Sequence, residues 1–303
     1  MFKYSLDNKR YHTLNYHLKT LFEDRVFKAS LDAGFSCPNK DTGGCSYCKD
    51  GSGEFTALGS ITEQINKEKE RIEKKWGKKG IIAYFQANTN TFAPLSVLKE
   101  KYEEALKNPC VVGLSIATRP DCIMGEVFDY LEEINKRTYL TVELGLQSVS
   151  DLTARKINRG YDFEVFEKCF YELKKRGIRV VVHIINGLID ETREDMINTA
   201  RTLAKMQPDG IKIHLLHILK GTKCEEEYNN GLIKTLTKEE YIDITVNQLR
   251  YFAPECVIER VTGDGKKESL VAPMWSVDKI SVLGGIDKHF AKIDAFQGDL
   301  YED

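Results

Sequence analysis

The segment GFSCPNKDTGGCSYC, residues 34–48, contains three of the eight cysteines in the chain. Cys37, Cys45 and Cys48 follow the pattern C-x7-C-x2-C directly after the first predicted strand. The two glycines before Cys45 permit a tight bend, and a C-x2-C pair can bring two thiolates to one metal centre without strain. The spacing therefore predicts a loop that binds a metal ion or a metal cluster.

Two kinds of metal site are consistent with three clustered thiolates. An iron–sulfur cluster would keep one iron open, whereas a closed zinc site would need a fourth ligand, which His12 or His17 could supply. A second C-x2-C pair, the usual completion of a zinc ribbon, does not occur in the sequence. We expect the remaining cysteines to be reduced and buried, with a reaction on substrate as the alternative for Cys122, which follows a predicted strand. These five cysteines are Cys110, Cys122, Cys169, Cys224 and Cys256.

The charge balance excludes one broad class of protein. The 303 residues include 44 Lys and Arg against 46 Asp and Glu, which gives a formal net charge of −2. A protein of this charge does not hold nucleic acid by overall positive charge, so an RNA partner must meet a local basic patch. The sequence shows no apolar leader and no apolar run long enough to cross a membrane, so we expect a soluble, cytoplasmic protein without a membrane partner.

Short β-branched runs alternate with longer amphipathic segments along the chain. The runs predict six strands, over residues 26–31, 80–86, 111–117, 138–145, 178–185 and 210–216. The intervening segments predict helices over residues 62–76, 95–107, 124–135, 163–176 and 191–206. This alternation builds a parallel sheet with right-handed crossovers, either an open doubly wound sheet or a complete or partial β/α barrel. In all of these folds the site residues lie at the carboxyl ends of the strands.

Further segments carry a family resemblance in the same order along the chain. They are Thr118-Arg-Pro-Asp121, Val142-Glu-Leu-Gly-Leu-Gln-Ser-Val149, Asn158-Arg-Gly160, Ile211-Lys-Ile213, Lys220-Gly-Thr222 and Val257-Ile-Glu-Arg260. Together with the cysteine loop, and with Tyr47 just before the third cysteine, they resemble the radical S-adenosylmethionine superfamily. Within it they are similar to the radical domain of the elongator catalytic subunit, an enzyme of wobble-uridine modification in tRNA. Small bacterial proteins that consist of this domain alone are the most similar in length.

The chain departs from the usual pattern of that superfamily in two places. The common cysteine spacing is C-x3-C-x2-C, and the gap between Cys37 and Cys45 is longer, as it also is in the elongator-type domain. Residues 86–91 read QANTNT where the family usually has a glycine-rich stretch that holds the ammonium group of the cofactor. The amides of Gln86, Asn88 and Asn90 could replace those backbone contacts. The acetyltransferase domain of the elongator subunit has no counterpart here, so acetyl transfer is not expected.

The resemblance implies an α/β fold, a partial (β/α)6 barrel of the radical S-adenosylmethionine type with short terminal extensions. The implied parts are an amino-terminal extension, residues 1–24, a core domain, residues 25–265, and a carboxyl-terminal extension, residues 266–303. The implied cofactors are a [4Fe–4S] cluster and S-adenosylmethionine, with a reductase or flavodoxin-type protein as the electron donor. The implied reaction starts from a 5′-deoxyadenosyl radical and modifies tRNA, at the C5 substituent of a wobble uridine.

The same resemblance suggests roles for individual residues. Cys37, Cys45 and Cys48 bind the cluster. Glu143 can accept hydrogen bonds from the ribose hydroxyls or the ammonium group of the cofactor, or it can form an ion pair inside the barrel. Arg159 offers a fork for the methionyl carboxylate, with an exposed loop arginine as the alternative. We expect substitution of Glu143 or Arg159 to weaken cofactor binding and to change stability little. The other predicted cofactor-binding residues are Tyr47, Gln86, Asn88, Gln147, His183 and Asn186.

Three histidines near the ends of predicted strands require a choice. His183 can approach the cofactor or can be a satisfied core residue. His214 and His217 are three positions apart, so they should face opposite sides of a continuous strand. On that basis only one of the two can lie in the site.

Two basic clusters bear on the nature of the substrate. Residues 67–79 contain seven Lys and Arg against three Glu, and Lys174, Lys175, Arg176 and Arg179 form the second cluster. Each cluster can neutralise RNA phosphates or can be a solvated helix face with Glu–Lys pairs. Two alternatives to a tRNA enzyme stay open. One is a radical enzyme for a small molecule or tetrapyrrole, because oxygen-independent coproporphyrinogen oxidase shares the Asn-Arg turn and the strand pattern, and the other is a zinc-stabilised RNA-binding module.

Overall fold

Seven parallel strands form the main sheet of the computed structural model, which describes residues 2–49, 58–86, 88–263 and 267–302. The strands are β1 (Val26–Leu31), β2 (Gly80–Phe85), β3 (Val111–Thr118), β4 (Tyr139–Gln147), β5 (Arg179–Asn186), β6 (Gly210–Leu215), β7 (Ile218–Leu219), β8 (Val257–Arg260) and β9 (Leu270–Ala272). The helices are α1 (Leu14–Phe22), α2 (Ile61–Trp76), α3 (Leu95–Leu106), α4 (Glu126–Asn135), α5 (Asp151–Lys156), α6 (Phe163–Lys175), α7 (Arg193–Met206), α8 (Lys223–Asn229), α9 (Lys238–Tyr251) and α10 (Lys279–Lys292). Short β7 and β9 pair antiparallel in a separate two-stranded sheet.

The main sheet curls into a half-barrel. Its strand order is β1-β2-β3-β4-β5-β6-β8, so β1 and β8 are the two edges. Lys28 Nζ of β1 nevertheless lies 2.6 Å from Glu259 Oε2 of β8, a contact that a flat sheet of seven strands could not make. The predicted partial barrel is confirmed, and all six predicted strands are present. The segment Val257–Arg260 adds the seventh strand.

Alternate residues of each strand face the helices or the barrel interior. In β4, Val142 and Leu144 are fully buried against the surrounding helices. Each such side chain contributes about 1.5–3 kcal/mol of hydrophobic stabilisation. Thr141 and Glu143 face the other way, because successive side chains of a strand alternate. The outer face of the sheet is thus apolar, while the interior receives charged side chains.

Side-chain caps fix several helix starts next to the carboxyl ends of the strands. Ser60 and Glu63 form a capping box at α2, and Thr192 and Asp195 form another at α7. Such caps satisfy backbone amides that a helix start leaves without partners, and each contributes about 1 kcal/mol. In the part of the chain that the structure describes, no helix is both long and apolar enough to cross a membrane.

The two terminal segments pack together under the amino end of the barrel. The Gln297 side chain is fully buried, accepts from the backbone amide of His12 (2.8 Å) and donates to the carbonyls of Ala253 (2.7 Å) and Cys256 (2.8 Å). The backbone of Thr13 forms a parallel bridge with Ile258 of β8. The division of the chain at residues 24 and 265 stays a prediction.

Candidate active site

The cysteine loop begins at the carboxyl end of β1, where the first cysteine precedes a 3-10 turn over Pro38–Thr42. The buried Asn39 donates from Nδ2 to Cys45 Sγ (3.3 Å) and to the carbonyl of Asn158 (2.6 Å). Asn158 in turn donates from its own Nδ2 to the carbonyl of Gly44 (2.7 Å). The loop that carries the three cysteines is therefore bound to the turn that follows α5.

The segment after β3 meets the same turn. Arg119 donates from Nη1 to the carbonyl of Arg159 (2.8 Å) and makes a two-point ion pair with Asp121 (2.9 and 2.7 Å). Gly160 has a φ of 87°, and a Cβ there would lie 2.9 Å from Asn39 Oδ1 and 3.2 Å from Arg119 Nη2. A side chain at this position would push those groups apart. Three motifs that are distant in the sequence thus meet at one edge of the sheet.

All eight cysteines lie within the described residues, and none of them forms a disulfide. Cys37 and Cys45 are half-buried and Cys48 is exposed. The isolated cysteines are buried as expected, except that Cys110 is half-buried. Burial raises the pKa of Cys122 to about 12, so this residue stays a neutral thiol near pH 7. A neutral buried thiol is a poor nucleophile, so the structure favours a packing role for Cys122.

The chemistry of the loop fits an iron–sulfur cluster. Burial raises the pKa of the Cys45 thiol, and the Asn39 amide opposes this shift by donating to the sulfur. Tyr47 packs beside the apolar cluster that contains Ile157 and Leu216. Among the described residues no three Cys, His, Asp or Glu side chains are already arranged to hold a metal ion. Three thiols on one anchored loop are the donor set of a [4Fe–4S] cluster with one open iron.

The two histidines that could complete a zinc site lie at the other end of the barrel. His12 Nδ1 is 3.1 Å from the carbonyl of Glu255, which precedes β8. His17 Nε2 is 3.2 Å from the hydroxyl of Tyr139, the first residue of β4. The cysteine loop follows the last residue of β1, so the length of a strand separates it from both imidazoles. The hypothesis of a zinc site completed by His12 or His17 is therefore wrong.

Glu143 lies at the centre of an ionic network inside the barrel. Its carboxylate, which is fully buried, accepts from Lys28 Nζ (2.7 Å), His183 Nε2 (2.7 Å) and Ser115 Oγ (2.5 Å), and it also binds Lys212 Nζ. Burial alone would raise the pKa of Glu143, but Lys212, Lys28 and His183 outweigh it and hold that pKa well below its ordinary value. The structure thus shows the ion-paired alternative for Glu143. A role in cofactor binding stays a prediction.

Glu259 is the second carboxylate of this network. It binds Lys28 Nζ (2.6 Å) and lies 3.6 Å from Arg179 Nη2 and 3.9 Å from Lys212 Nζ. The Lys212 ammonium also donates to the hydroxyl of Tyr84 (3.2 Å) and lies 4.4 Å from the centre of its ring. Sequence reasoning missed Lys28, Lys212 and Glu259 as a group. The available signal was the single lysine in each of the strands β1 and β6, together with the glutamate of β8, which Arg260 follows directly.

The structure corrects the alternative roles considered for Arg159. The side chain is 1% exposed, so it is not a surface loop arginine. It donates from Nη1 to the carbonyls of Leu146 (2.5 Å) and Ser148 (2.7 Å) and from Nε to that of Tyr161 (2.9 Å). These contacts fix the backbone after β4, so removal of Arg159 must cost stability, in contrast to our expectation. Its Nη2 atom is buried without a hydrogen-bond partner, although it lies 3.7 Å from Asp151 Oδ1.

Asn186 lies on the opposite side of β5 from the barrel interior. Its side chain forms a reciprocal amide pair with Gln248 of α9, with distances of 2.8 and 2.9 Å. Both side chains are buried. The prediction of cofactor binding by Asn186 is not supported, because each of its amide groups already has a partner within the protein.

We expect Asn186→Ala to destabilise the protein by about 1–3 kcal/mol, because Gln248 would lose its buried partner. S-adenosylmethionine affinity should stay unchanged. Denaturant unfolding and equilibrium binding on the same preparations measure both quantities, and Gln248→Ala completes a double-mutant cycle. A loss of affinity without a loss of stability would restore the cofactor role.

The residues after β2 hold the cysteine loop from a second side. Asn88, with a φ of 60°, donates from Nδ2 to the carbonyl of Phe35 (2.9 Å). The backbone N–H of Thr89 donates to the carbonyl of Ser36 (3.2 Å), and the backbone N–H of Gln86 donates to the carbonyl of Leu31 (3.3 Å). The Asn88 side chain thus positions the backbone that leads into the first cysteine.

Buried polar atoms without partners surround the mouth of the barrel. They follow the carboxyl ends of β2, β4 and β6, where a β/α barrel binds its ligands. A buried polar atom that lacks a hydrogen bond costs about 1–3 kcal/mol, so a polar ligand here would relieve a real penalty. Gln147 also has a left-handed φ of 66°, a conformation that residues other than glycine adopt mainly under local constraint. These atoms are Asn90 Oδ1, Gln147 Oε1, Arg159 Nη2, His214 Nε2 and His217 Nε2.

The argument from strand alternation does not apply to His214 and His217, and the choice between them stays a prediction. β6 ends at Leu215, so His217 lies beyond the strand and strand alternation does not govern its side chain. The His214 ring lies beside that of His183 on the neighbouring strand β5, with 5.2 Å between the ring centres. The His217 ring lies against Gly263, where a Cβ would come within 2.4 Å of its Cε1.

The comparison with known proteins agrees with this architecture. The model of the Radical SAM superfamily matches residues 35–203, and that of the Radical_SAM C-terminal domain matches residues 208–292. The uncharacterized protein YtqA of Bacillus subtilis is 48% identical over 308 residues, which cover 99% of this chain and 96% of that protein. Elongator complex protein 3 of Homo sapiens is 29% identical over 175 residues, which cover 54% of this chain and only 30% of that protein.

A solved structure shows the same fold. The archaeal Elp3 of Methanocaldococcus infernus, in a form with residues 1–46 deleted, superposes with a TM-score of 0.68 at 19% identity. The match covers 90% of this chain and 64% of that chain. At this identity the likeness concerns the fold alone.

A half-barrel with an anchored three-cysteine loop at the carboxyl end of β1 defines a radical enzyme, and this chain belongs to the radical S-adenosylmethionine superfamily. Part of the chain is similar in sequence to Elongator complex protein 3, and its fold is similar to that of the archaeal Elp3. Members of the superfamily use a [4Fe–4S] cluster and S-adenosylmethionine, and these are the cofactors of this chain.

Proposed function

We propose that this radical enzyme modifies tRNA and that its target is the C5 substituent of a wobble uridine. The observation that carries the proposal is the 29% identity with human Elongator complex protein 3 over 175 residues. The wobble-uridine reaction is the one that the elongator resemblance implies. Because this chain covers 30% of that protein, the activities of the remainder are not carried over.

In this proposal Cys37, Cys45 and Cys48 hold the cluster. The bound cluster and S-adenosylmethionine together supply a 5′-deoxyadenosyl radical. Asn39 orients Cys45 through the 3.3 Å contact of its Nδ2 with the sulfur, and this donation favours the thiolate over the thiol. Tyr47, just before Cys48, packs against the apolar cluster that contains Ile157 and Leu216.

Three buried atoms at the mouth provide the proposed polar contacts with S-adenosylmethionine. Asn90 Oδ1 and Gln147 Oε1 can accept from its ammonium group or ribose hydroxyls, and Arg159 Nη2 can donate to its carboxylate. Each atom lies next to a segment that contacts the cysteine loop or the turn after α5. Electrons would come from a reductase or a flavodoxin-type protein.

Replacement of Gln147 by glycine tests the cofactor assignment. The substitution removes the side-chain amide and suits the left-handed backbone at this position. S-adenosylmethionine affinity should fall by a factor that corresponds to about 1–2 kcal/mol, because a buried hydrogen bond is lost. Equilibrium dialysis of the anaerobic holoprotein measures the change.

Asp190→Gly is the matched control for this prediction, because Asp190 also has a left-handed φ, 58°, and its ion pair with Lys156 is exposed. Its S-adenosylmethionine affinity should equal that of the native protein. Equal S-adenosylmethionine affinities of the native protein, Gln147→Gly and Asp190→Gly would show that Gln147 does not bind the cofactor.

The end of α2 provides a surface for RNA, which we call the Trp76 surface. Lys74, Lys75, Trp76 and Lys78 are exposed there. The Arg25 guanidinium lies 4.3 Å from the centre of the Trp76 ring, and Lys75 Nζ lies 5.2 Å from it. Exposed aromatic rings among cations are typical of surfaces that bind nucleic acid strands.

The second basic cluster is less suited to RNA. Lys174 Nζ binds Asp209 (2.8 Å), and Arg176 pairs with Glu172 (2.7 Å) and Asp129 (2.7 Å). These charges are already neutralised within the protein. Of the two clusters, only the Trp76 surface is proposed to bind RNA.

The position of the Trp76 surface distinguishes large substrates from small ones. α2 ends four residues before β2 begins, so this surface lies at the amino ends of the strands, whereas the cysteine loop lies at the carboxyl ends. The two are separated by about 20 Å, the length of a six-residue strand at about 3.3 Å per residue. A tRNA can contact both places, and a small molecule cannot.

Charge reversal of Lys74, Lys75 and Lys78 to Glu should weaken tRNA binding at low salt. If each lysine contacts one phosphate, the negative slope of log affinity against log salt concentration should become less steep by about 3, because each contact releases about 0.9 counterion. Cofactor cleavage without tRNA should be unchanged. Filter binding over a range of salt concentrations measures the slope.

The matched control reverses Lys205, Lys288 and Lys292, which are exposed on α7 and α10 and give the same change of net charge. This control should bind tRNA as the native protein does. An equal loss of tRNA affinity in both triple variants would indicate general electrostatic attraction and would contradict a specific role for the Trp76 surface.

The product experiment tests the proposed function itself. Nucleosides of tRNA from cells with and without the protein are compared, and the reaction is repeated with the anaerobic holoprotein. Cells without the protein should accumulate a wobble uridine with an altered C5 substituent. An unchanged nucleoside profile, together with active cofactor cleavage, would support a small-molecule substrate instead.

A further inference from the structure

The cysteine loop has a further support, which comes from elements near the other edge of the sheet. Ser46 lies between Cys45 and Cys48, and its backbone carbonyl accepts from the backbone N–H of Cys224 in α8 (2.9 Å). The loop follows β1, whereas α8 follows β6 and β7. In the sheet, four strands lie between β1 and β6. The contact therefore joins two segments that the sheet itself keeps apart.

The segment from Cys45 to Cys48 is a β-turn. The backbone N–H of Cys48 donates to the carbonyl of Cys45 (2.9 Å), so Ser46 and Tyr47 are the two central residues of the turn. The backbone N–H of Ser46 donates to the carbonyl of Ile157 (2.9 Å), which follows α5. The turn that carries two of the three thiols is thus held through its central residue Ser46.

The side chains of Ser46 and Cys224 also meet. The Cys224 thiol donates to Ser46 Oγ over 3.4 Å, and both residues are buried. Cys224 is the second residue of α8, where a backbone N–H has no partner within the helix. The Ser46 carbonyl satisfies that N–H. Ser46 and Cys224 therefore form a buried pair with one contact between backbones and one between side chains.

The start of α8 is itself held in place by the small sheet. The Thr222 hydroxyl donates to the carbonyl of Leu219 in β7 (2.7 Å) and accepts from the backbone N–H of Glu225 (3.3 Å). β7 in turn pairs with β9. A displacement of Ser46 would have to move a capped helix or break its contact with Cys224.

We propose that Ser46 and Cys224 are positioning residues for the iron–sulfur cluster. They hold the β-turn from whose two ends the thiols of Cys45 and Cys48 reach the same cluster. α8 thereby contributes to the cluster site without supplying a ligand. The inference rests on the ligand assignment in the proposed function, and it does not depend on the nature of the substrate.

A packing role alone would give different results from a positioning role. Substitution of a packing residue lowers the stability of the protein with and without the cluster alike. A positioning residue also changes the affinity for the metal, and the loss of groups that orient metal ligands typically costs about 10–100-fold in that affinity. By thermodynamic reciprocity, the bound cluster must then stabilise the contact between Ser46 and Cys224.

The first experiment measures this reciprocity in the native protein. Hydrogen–deuterium exchange at the backbone N–H of Cys224 is compared between cluster-free protein and anaerobically reconstituted protein. The cluster should slow this exchange by about tenfold or more. The backbone N–H of Gln297, which donates to the carbonyl of Arg10 (2.9 Å), lies at the other end of the barrel and should exchange equally in both forms. Equal exchange at Cys224 with and without the cluster would overturn the proposal.

Substitutions test the contact between the two side chains. Ser46→Ala and Cys224→Ala should each release iron to a chelator about tenfold faster than the native protein. The double variant should release iron no faster than either single variant, because all three lose the same contact. Cys224→Ser retains a hydrogen-bond donor and should restore the native rate. Native release rates in both single alanine variants would overturn the proposal.

Cys256→Ala is the matched control, because it removes another buried thiol, one that directly precedes β8. It should release iron at the native rate. The electron paramagnetic resonance signal of the reduced cluster should broaden in Cys224→Ala and stay unchanged in Cys256→Ala. The same acceleration and the same broadening in both variants would indicate a general effect of core substitution and would overturn the positioning role.

Cys45→Ala separates a failure of this inference from a failure of the ligand assignment. Loss of the cluster in Cys45→Ala, together with native iron release in Cys224→Ala, would overturn the positioning role alone. Retention of the cluster by Cys45→Ala would overturn the ligand assignment and, with it, the positioning role.

Discussion

Replacing Glu143 with alanine is expected to lower the free energy of unfolding by about 3–5 kcal/mol, because it leaves buried charges without a partner. Lys28, Lys212 and His183 all contact this carboxylate. Denaturant titration of the purified protein under anaerobic conditions measures the effect. The same substitution would have changed stability little if Glu143 only bound the cofactor.

Glu164→Ala provides the control, because Glu164 is 73% exposed in its ion pair with Lys168. Exposed pairs of this kind contribute about 0–1 kcal/mol, so the control should unfold close to the native protein. Comparable unfolding energies for Glu143→Ala and Glu164→Ala would show that the barrel network does not stabilise the fold.

The pH dependence of stability follows from the same network. Burial opposes ionisation of Glu143, but the cations hold its folded-state pKa below the ordinary value of 4.5. A carboxyl group with a lowered folded-state pKa contributes stability above its unfolded pKa and loses it as the pH falls through the folded value. The native protein should therefore lose stability as the pH falls below 4.5, and Glu143→Gln should lose less over the same interval.

Replacing any one of Cys37, Cys45 or Cys48 with alanine is expected to abolish cluster-dependent cleavage of S-adenosylmethionine. A [4Fe–4S] cluster with one open iron needs all three thiolates, and no other described cysteine lies on this loop. The variants should lose acid-labile sulfide and should form no 5′-deoxyadenosine. Iron and sulfide analysis and chromatography of the cleavage product measure these two losses.

Cys169→Ala is the matched control, because Cys169 lies buried on α6 away from the loop. It should retain the cluster and form 5′-deoxyadenosine at the native rate. Production of 5′-deoxyadenosine by Cys45→Ala would contradict the ligand assignment. Zinc without acid-labile sulfide in the native protein would contradict the cluster itself.

The fold could be predicted from sequence because each strand is a short β-branched run between amphipathic helices. β1 matches its prediction at both ends, and the other five strands differ by one or two residues. β8 was visible only through the family resemblance, because four residues are too few to show a period. The observed helix starts differ from the predicted ones where a capping residue such as Thr192 determines the first helical residue.

The interior of the site was harder to predict. The sequence shows Lys28, Lys212 and Glu259 on separate strands, but only the curl of the sheet brings them together. Asn186 illustrates the opposite case. Its position at a strand end suggested a ligand contact, whereas a register that turns it toward α9 gives it Gln248 as a partner. Which face a terminal strand residue takes depends on packing that the local sequence does not specify.

The contact between Lys28 and Glu259 also has a consequence for the order of events during synthesis. The two residues are 231 positions apart in the chain. At a translation rate of about 5–20 residues per second, Lys28 leaves the ribosome roughly 10–50 s before its partner. A nascent chain that ends before β8 carries this lysine without one of its two carboxylates. The ion pair between the two edge strands of the barrel can therefore form only near the end of translation. Products truncated before β8 lack this ion pair, and proteases should cleave them as incompletely closed barrels.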